Sequence, residues 1–364
     1  MTIVLTRRTF IVGGAAAVGV AAVELRRMGT MADYARHVAS TRAALPDPAG
    51  PLDLVRFATL AASGHNTQPW RFRVPPGRID LLPDFARRTP AVDPDDHHLF
   101  VSLGCAVENL SLAAAARGQR AAATLGGDGA LAVALENAPR EATALGDAIP
   151  WRQSTRAAFD GRPARAAEVD RLVQAARAPT VDVVVLTERT AVEQILELVV
   201  AGNTAQMNDP AFVRELKSWI RFNPGAAAMT GDGLLTAASG NPTLPTWLGS
   251  FLFDRTFRAG PENEKYAQQV RTSSGIAVFV GARADREHWV QVGRSCQRFA
   301  LQATALDLRC SFINQPIEVA ALRAEVAALV GAPGRRPDLI MRFGHASALP
   351  YSPRRPVEAV LVPG

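Results

Sequence analysis

Ser63-Gly64-His65-Asn66-Thr67-Gln68-Pro69-Trp70 is the stretch on which the reading of this chain turns. An apolar run from Leu52 to Ala62 precedes it and reads as a helix, and Trp70 to Val74 follows and reads as a strand. The eight residues therefore form a helix-to-strand corner of small, hydrogen-bonding side chains. Ser63, Asn66 and Gln68 supply hydroxyl and amide groups, and Gly64 lets the backbone come near a ligand. Pro69 stops the turn, and Trp70 anchors the strand in a core. Such a corner suits a flat apolar ring with carbonyl and imino groups along one edge.

The run resembles the flavin-contacting corner of the nitroreductase family, written S-[SG]-x-N-x-Q-P-W, and the resemblance spans roughly residues 45–361. It implies an α+β, nitroreductase-like fold and FMN as cofactor, with Ser63, Gly64, Asn66 and Gln68 on the ring and ribityl chain. Arg152-Gln153-Ser154-Thr155-Arg156, then Phe159, resembles the family's R-x-S-x-R-x-F motif, with Phe159 one position late. Two guanidiniums and a hydroxyl so close together can wrap one phosphate by charge-assisted hydrogen bonds. The resemblance gives Arg152, Ser154 and Arg156 that task, and Arg354-Arg355 matches a basic pair presented to the same phosphate. Ser311 to Pro316 corresponds to a segment facing the flavin's reactive edge, which adds Asn314 and Gln315 to the site.

Two stretches repeat one another. Leu103-Gly104 to Ala116 and Val292-Gly293 to Ala305 both read as long helices with apolar residues recurring at three and four, each followed by a basic position, Arg120 and Arg309. In ordinary family members the arginine motif precedes the corner; here it follows it. That order implies two tandem halves, residues 31–148 and 149–364, forming an intramolecular pseudo-dimer with central long helices and mixed or antiparallel sheets. One FMN site survives in this arrangement. Ser40-Thr41-Arg42 and Ser239-Gly240-Asn241-Pro242 read as remnants of the other. Trp70–Val74 and Arg78–Asp84 read as a hairpin, Phe100–Arg117, Arg165–Ala176, Glu287–Leu306 and Pro316–Leu329 as helices, and Val181–Leu186, Ile276–Val280 and Leu339–Phe343 as strands. Residues 222–263, rich in glycine, proline and aromatics, read as an insert that either covers the flavin or braces the two halves.

Composition bounds the function. The 364 residues carry a net charge of +6, almost all from arginine, since Lys217 and Lys265 are the only lysines. No Lys/Arg-rich block is present, so a nucleic-acid partner is not expected. Cys105, Cys296 and Cys310 are odd in number and lack paired spacing, so no disulfide framework is expected, and Cys105 and Cys296, in apolar helix-like stretches, read as buried thiols. His97-His98, beside Asp93, Asp95 and Asp96, reads as a solvated loop before a helix, and no metal is expected.

At the N-terminus, Arg7-Arg8 with Phe10-Ile11 and the apolar run Phe10–Val23 resemble a twin-arginine export signal, taken as residues 1–30. Val20-Ala21-Ala22 offers small residues for cleavage. Export by that machinery to the periplasm, envelope or exterior is the expectation, or a cytoplasmic protein if the start lies later. The expected activity passes electrons from NADH or NADPH through FMN to a small nitroaromatic or quinone acceptor, with no side-chain acid or base required. The alternative is a protein that stores or sequesters FMN under the insert without turnover. A single-chain monomer is expected in either case.

Overall fold

The two halves build sheets of the same topology. In the first, β1 (Trp70–Arg73), β2 (Arg78–Pro83), β3 (Gln119–Leu125) and β4 (Leu131–Asn137) pair antiparallel in the order β1-β2-β4-β3. Two further strands, β6 (Ile220–Arg221) and β7 (Leu234–Leu235), form a short parallel pair of their own. In the second half, β5 (Val181–Leu186), β8 (Gly275–Gly281), β9 (Arg309–Phe312) and β10 (Leu339–Gly344) pair antiparallel in the order β5-β8-β10-β9. A long helix links the second strand of each order to its outermost strand: His97–Ala115 in the first half and Arg286–Ala305 in the second. The computed structural model describes residues 26–363, so the Arg7-Arg8 signal lies outside the described residues.

The difference between the halves lies between the first two strands of each order. A tight turn at Val74–Gly77 joins β1 to β2, whereas residues 187–274 join β5 to β8. Those residues carry helices Arg189–Met207, Pro210–Ser218, Pro224–Thr230, Thr246–Thr256 and Ala259–Arg271. The insert read at 222–263 is the middle of this excursion.

Burial follows from the sequence patterns. β3 alternates half-buried with exposed positions, as a sheet with one wet face requires. β8, an unbroken apolar run, is buried along its length because helices cover both of its faces. The helix His97–Ala115 is apolar almost all round and is accordingly a core helix. It crosses Arg286–Ala305 at closely spaced backbones. A Cβ on Gly104 would stand 2.1 Å from the Val290 oxygen, and one on Gly293 would stand 2.0 Å from the Val101 oxygen. The contact is reciprocal: Gly104 and Val101 occupy the same positions in the first repeat as Gly293 and Val290 in the second. One hydrophobic core runs through this crossing, from Leu54 and Trp70 in one half to Phe299 and Met341 in the other.

The C-terminal segment closes the architecture. Phe72 donates its N–H to Val360 and accepts from Val362, so the end of the chain extends the first sheet at β1.

Two expected elements differ. The first long helix begins at His97 rather than Phe100, because the Asp93 carboxylate accepts the N–H groups of His98 and Leu99 at 2.9 and 3.0 Å and caps an earlier turn. His97 and His98 are therefore buried helical residues, not a solvated loop. The helix expected over Pro316–Leu329 is broken into Gln315–Glu318, Ala320–Leu322 and Arg323–Leu329. Val319 between the pieces is extended, and Arg323 Nε takes the Ile317 carbonyl at 2.6 Å, an acceptor that a continuing helix would need.

Candidate functional site

A cavity of about 270 Å³ opens beneath the corner. Ser63, Gly64 and His65 form one wall, the first long helix a second through His98 and Ser102, and Arg156, Asn314 and Gln315 a third. The excursion between β5 and β8 supplies the rest, including Phe212, Leu234 and Phe257. Its size lies just under the usual range of small-molecule sites, roughly 300–1,000 Å³.

The corner is held in a costly backbone. His65, Asn66 and Gln68 have φ of 45°, 54° and 52°, the left-handed region that non-glycine residues avoid. Three such residues in a row of four cost of order 1–3 kcal/mol each, and strain of this kind collects at ligand clamps. What holds them is a brace. Asn66 Nδ2 donates to the carbonyls of Gly233 and Pro353 at 2.9 and 3.1 Å, and its Oδ1 accepts from Arg354 Nη1 at 2.8 Å. Gln68 Nε2 donates to the Gly231 carbonyl at 2.8 Å, and its Oε1 accepts the Arg355 N–H at 2.9 Å. The Gln68 N–H donates to Ser63 Oγ at 3.1 Å. The amides of Asn66 and Gln68 thus tie the insert and the C-terminal segment to the corner and do not line the cavity.

The eleven residues singled out from the sequence fall into two groups. Ser63, Gly64, Arg156, Asn314 and Gln315 line the cavity, while Asn66, Gln68, Arg152, Ser154, Arg354 and Arg355 lie behind its wall. Arg355 is partnered, with Nη1 3.8 Å from the Asp84 carboxylate and 3.4 Å from the Gln68 carbonyl. Ser154 pairs with Cys310 as a parallel bridge at the edge of β9. Asn314 Oδ1 accepts the Ile340 N–H at 2.8 Å, which fixes the turn, and Gln315 Oε1 is buried without a partner. Gly202 makes room for that turn, since a Cβ there would meet the Gln315 backbone at 2.7 Å.

Arg152 and Arg354 belong to a cluster of guanidiniums. Arg354 spends its donors on Asn66 and on the carbonyls of Leu60, Ala61 and Pro353; Arg152 reaches the Leu60 carbonyl at 3.1 Å. Arg42, the residue that ends the helix Met31–Thr41, donates to the Pro150 and Arg152 carbonyls and stacks 3.9 Å from the Tyr351 ring centre. The Nε atoms of Arg42, Arg152 and Arg354 are buried without a partner. No carboxylate pairs with these three or with Arg156 among the described residues. Burial, and then mutual repulsion with Arg152, pushes the Arg42 guanidinium down to about 9. Burial likewise holds Arg354 well below its usual range, with Arg42, Arg152 and Arg156 as repelling neighbours. Several unpaired buried cations are unfavourable unless an anion joins them.

Ser40-Thr41-Arg42, read as a remnant of a second site, instead brings Arg42 to this same cluster. Ser239 and Asn241, read as the other remnant, line this same cavity.

Sequence reasoning missed an ionisable cluster that shares the cavity lining with Arg156. His98 Nε2 lies 3.6 Å from Glu318 Oε1, and Gln206 Nε2 donates to Glu318 Oε2 at 2.5 Å. Burial raises the Glu318 carboxyl and pushes the His98 imidazole down to about 3. His65 falls to about 4 through burial, then Arg156 and His98. Behind them His97 Nε2 sits 3.0 Å from Asp338 Oδ1, and burial leaves this pair a neutral imidazole and a carboxyl raised to about 6. No group of three or more His, Cys, Asp or Glu side chains suited to hold a metal ion occurs among the described residues.

Comparison with known proteins adds the following. The model of the nitroreductase family matches residues 149–345, just over half of the chain. A candidate NAD(P)H nitroreductase of Mycobacterium tuberculosis, Rv3131, is 29% identical over 331 residues, covering 87% of this chain and 92% of that protein. A second candidate NAD(P)H nitroreductase of that organism, acg, is 24% identical over 321 residues, covering 84% and 93%. Among solved structures, the FMN-dependent nitroreductase NfnB of Mycobacterium smegmatis in complex with NADPH is a distant likeness. It is 14% identical with a TM-score of 0.37, covering 61% of this chain and 93% of that one.

Proposed function

The chain belongs to the nitroreductase family, and on that premise we propose that it binds FMN at the corner and carries electrons from NADH or NADPH to a nitroaromatic or quinone acceptor. The observation that carries this reading is the set of four arginines, Arg42, Arg152, Arg156 and Arg354, with no carboxylate partner among the described residues. A phosphate monoester is a compact dianion that such a set would hold.

The residues present fit FMN. Arg156, with Arg152 and Arg354 behind it, would take the phosphate. Gly64 leaves the wall open, since a Cβ there would find only the His98 Cβ at 4.0 Å, and a flat ring needs that space. Ser63 and the partnerless Gln315 Oε1 would meet polar groups on the ring edge. When bound, FMN supplies the hydride and electron chemistry. The chain contributes the rest. The hydrogen bonds of Asn66 and Gln68 hold the corner in shape, and apolar Phe212, Leu234 and Phe257 on the cavity lining would exclude water from a bound ring.

A second reading has one observation in its favour. The insert lines the cavity through Leu234, Thr236 and Phe257, as a cover would. Under it the chain holds FMN without nicotinamide turnover. We also read the chain as a fused pseudo-dimer that works as a monomer, supported by the matched sheet orders and the reciprocal glycine crossing. Export through the Arg7-Arg8 signal completes the proposal.

The test is the visible spectrum of the purified protein during anaerobic titration with NADH and then NADPH. Yellow protein that bleaches with a nicotinamide supports the reductase. Bleaching by dithionite alone supports the holding protein. Colourless protein that no FMN reconstitutes overturns both.

A further inference from the structure

We propose that Glu318 is the proton donor to the acceptor in this cavity, held for that task by His98 and Gln206. The donor role rests on the FMN reading above and adds to it a general acid contributed by the chain.

Three observations point there. The carboxyl stands on the cavity wall with its side chain only 16% exposed, and His98 beside it also lines the cavity. It comes from the short helix Gln315–Glu318, so the turn that brings Asn314 and Gln315 to the wall brings it too. The groups facing it most strongly are His98, Gln206, Asp93, Glu215 and Tyr266, while Arg156 and Lys265 line the same cavity and Arg323 holds the adjoining Ile317 carbonyl. His98 is itself kept uncharged by burial. Burial raises this carboxyl above its ordinary range, so it holds its proton more tightly than an exposed glutamate does and can give it to a developing anion. Glu262, the other carboxyl on the wall, has Lys265 Nζ at 3.7 Å, whereas Glu318 forms no ion pair with a lysine or arginine among the described residues.

The step balances simply. Reduction of a quinone by two electrons delivers one hydride and requires one proton. The Glu318 O–H bond breaks, its proton bonds to the acceptor oxygen that gains negative charge, and the electron pair of the broken bond stays on the carboxylate. Water entering the cavity then returns a proton to Glu318. A nitro group takes the proton on its oxygen in the same way, and loss of water follows.

The experiment compares Glu318→Gln with the wild type in two assays of the oxidative half-reaction and one spectrum that needs no turnover. With a simple benzoquinone the variant is expected to lose at least about tenfold in rate, since a positioned acid contributes roughly 10²–10⁴, and to lose the wild type's pH dependence. With ferricyanide, which takes electrons without protons, the two should agree within about twofold. Infrared difference spectra of the protein without cofactor should show a protonated carboxyl near neutral pH that the variant lacks. Equal losses with both oxidants would overturn the donor role and leave Glu318 a positioning residue. A Glu318 already ionised at neutral pH would overturn it as well. Failure to take up FMN at all would instead bring down the underlying reading, and the infrared result would still report on the carboxyl itself.

Discussion

Gly293 lies against the Val101 carbonyl so closely that an added Cβ would stand 2.0 Å from its oxygen. Gly104 stands in the same relation to Val290, and the two contacts set the distance between the long helices. Around them Glu108 receives Arg294 at 2.7 Å and Arg298 at 3.2 Å, and Gln297 donates to Asn109 at 2.8 Å. The crossing is therefore a polar and backbone contact inside an apolar core.

Either glycine changed to alanine should force the helices apart. The expected cost is about 3 kcal/mol, at the upper end for overpacking, because a backbone atom blocks the methyl group and cannot rotate away. Urea unfolding of Gly293→Ala measures it. A loss below about 0.5 kcal/mol would show that the helices slide freely.

Stability should depend on phosphate through the arginine cluster. Inorganic phosphate should raise the wild-type melting temperature, because an anion that binds only the folded chain stabilises it by mass action. Arg152→Met removes one repelling cation and, on the proposed reading, one phosphate ligand with it. Without phosphate it should lose little stability, and with phosphate it should gain much less than the wild type. Thermal scans across a phosphate series at fixed ionic strength decide this, and identical slopes for the two proteins would count against an anion site.

Arg156 and Asn66 should separate ligand binding from bracing. Arg156 faces the cavity and has no ion-pair or side-chain hydrogen-bond partner among the described residues, so Arg156→Ala should weaken FMN retention at least about tenfold while leaving the fold intact, as loss of a charge-assisted contact requires. Asn66→Ala strips three hydrogen bonds from a strained corner and should lower stability by about 2 kcal/mol. FMN titration and denaturation of both variants test the split. A variant set in which both effects travel together would refute the separation.

The corner histidine supplies a pH test. His65 in the fold is depressed to about 4 from an ordinary value of 6.5, chiefly by burial. A depressed group gives stability that is present above 6.5 and is lost as pH falls through about 4. His65→Asn cannot take up that proton, and asparagine tolerates the left-handed backbone. The variant should match the wild type above pH 6.5 and gain on it below, by up to about 1 kcal/mol per pH unit. Parallel stability curves for the two proteins across this window would show that His65 titrates normally.

Local chemistry was legible in the sequence alone. The octapeptide announced a corner, the glycine-bearing repeats announced two long helices, and the runs at Val181–Leu186 and Leu339–Phe343 announced strands. These features depend on neighbours within a few residues, where spacing and turn chemistry act directly. Tertiary structure alone decided which face each polar group presents. Asn66 and Gln68 look like ligand groups by type, yet Gly231, Gly233 and Pro353 claim them from far along the chain. His97 and His98 look solvated, yet a cap from Asp93 and partners at Asp338 and Glu318 bury them. Glu318 gave no signal because its place on the cavity wall beside His98 and Gln206 is made by segments far apart in the chain, which no spacing records. Sequence fixes the repertoire of hydrogen bonds and charges. Burial, which removes water as the alternative partner, assigns them, and burial is settled only when distant segments meet.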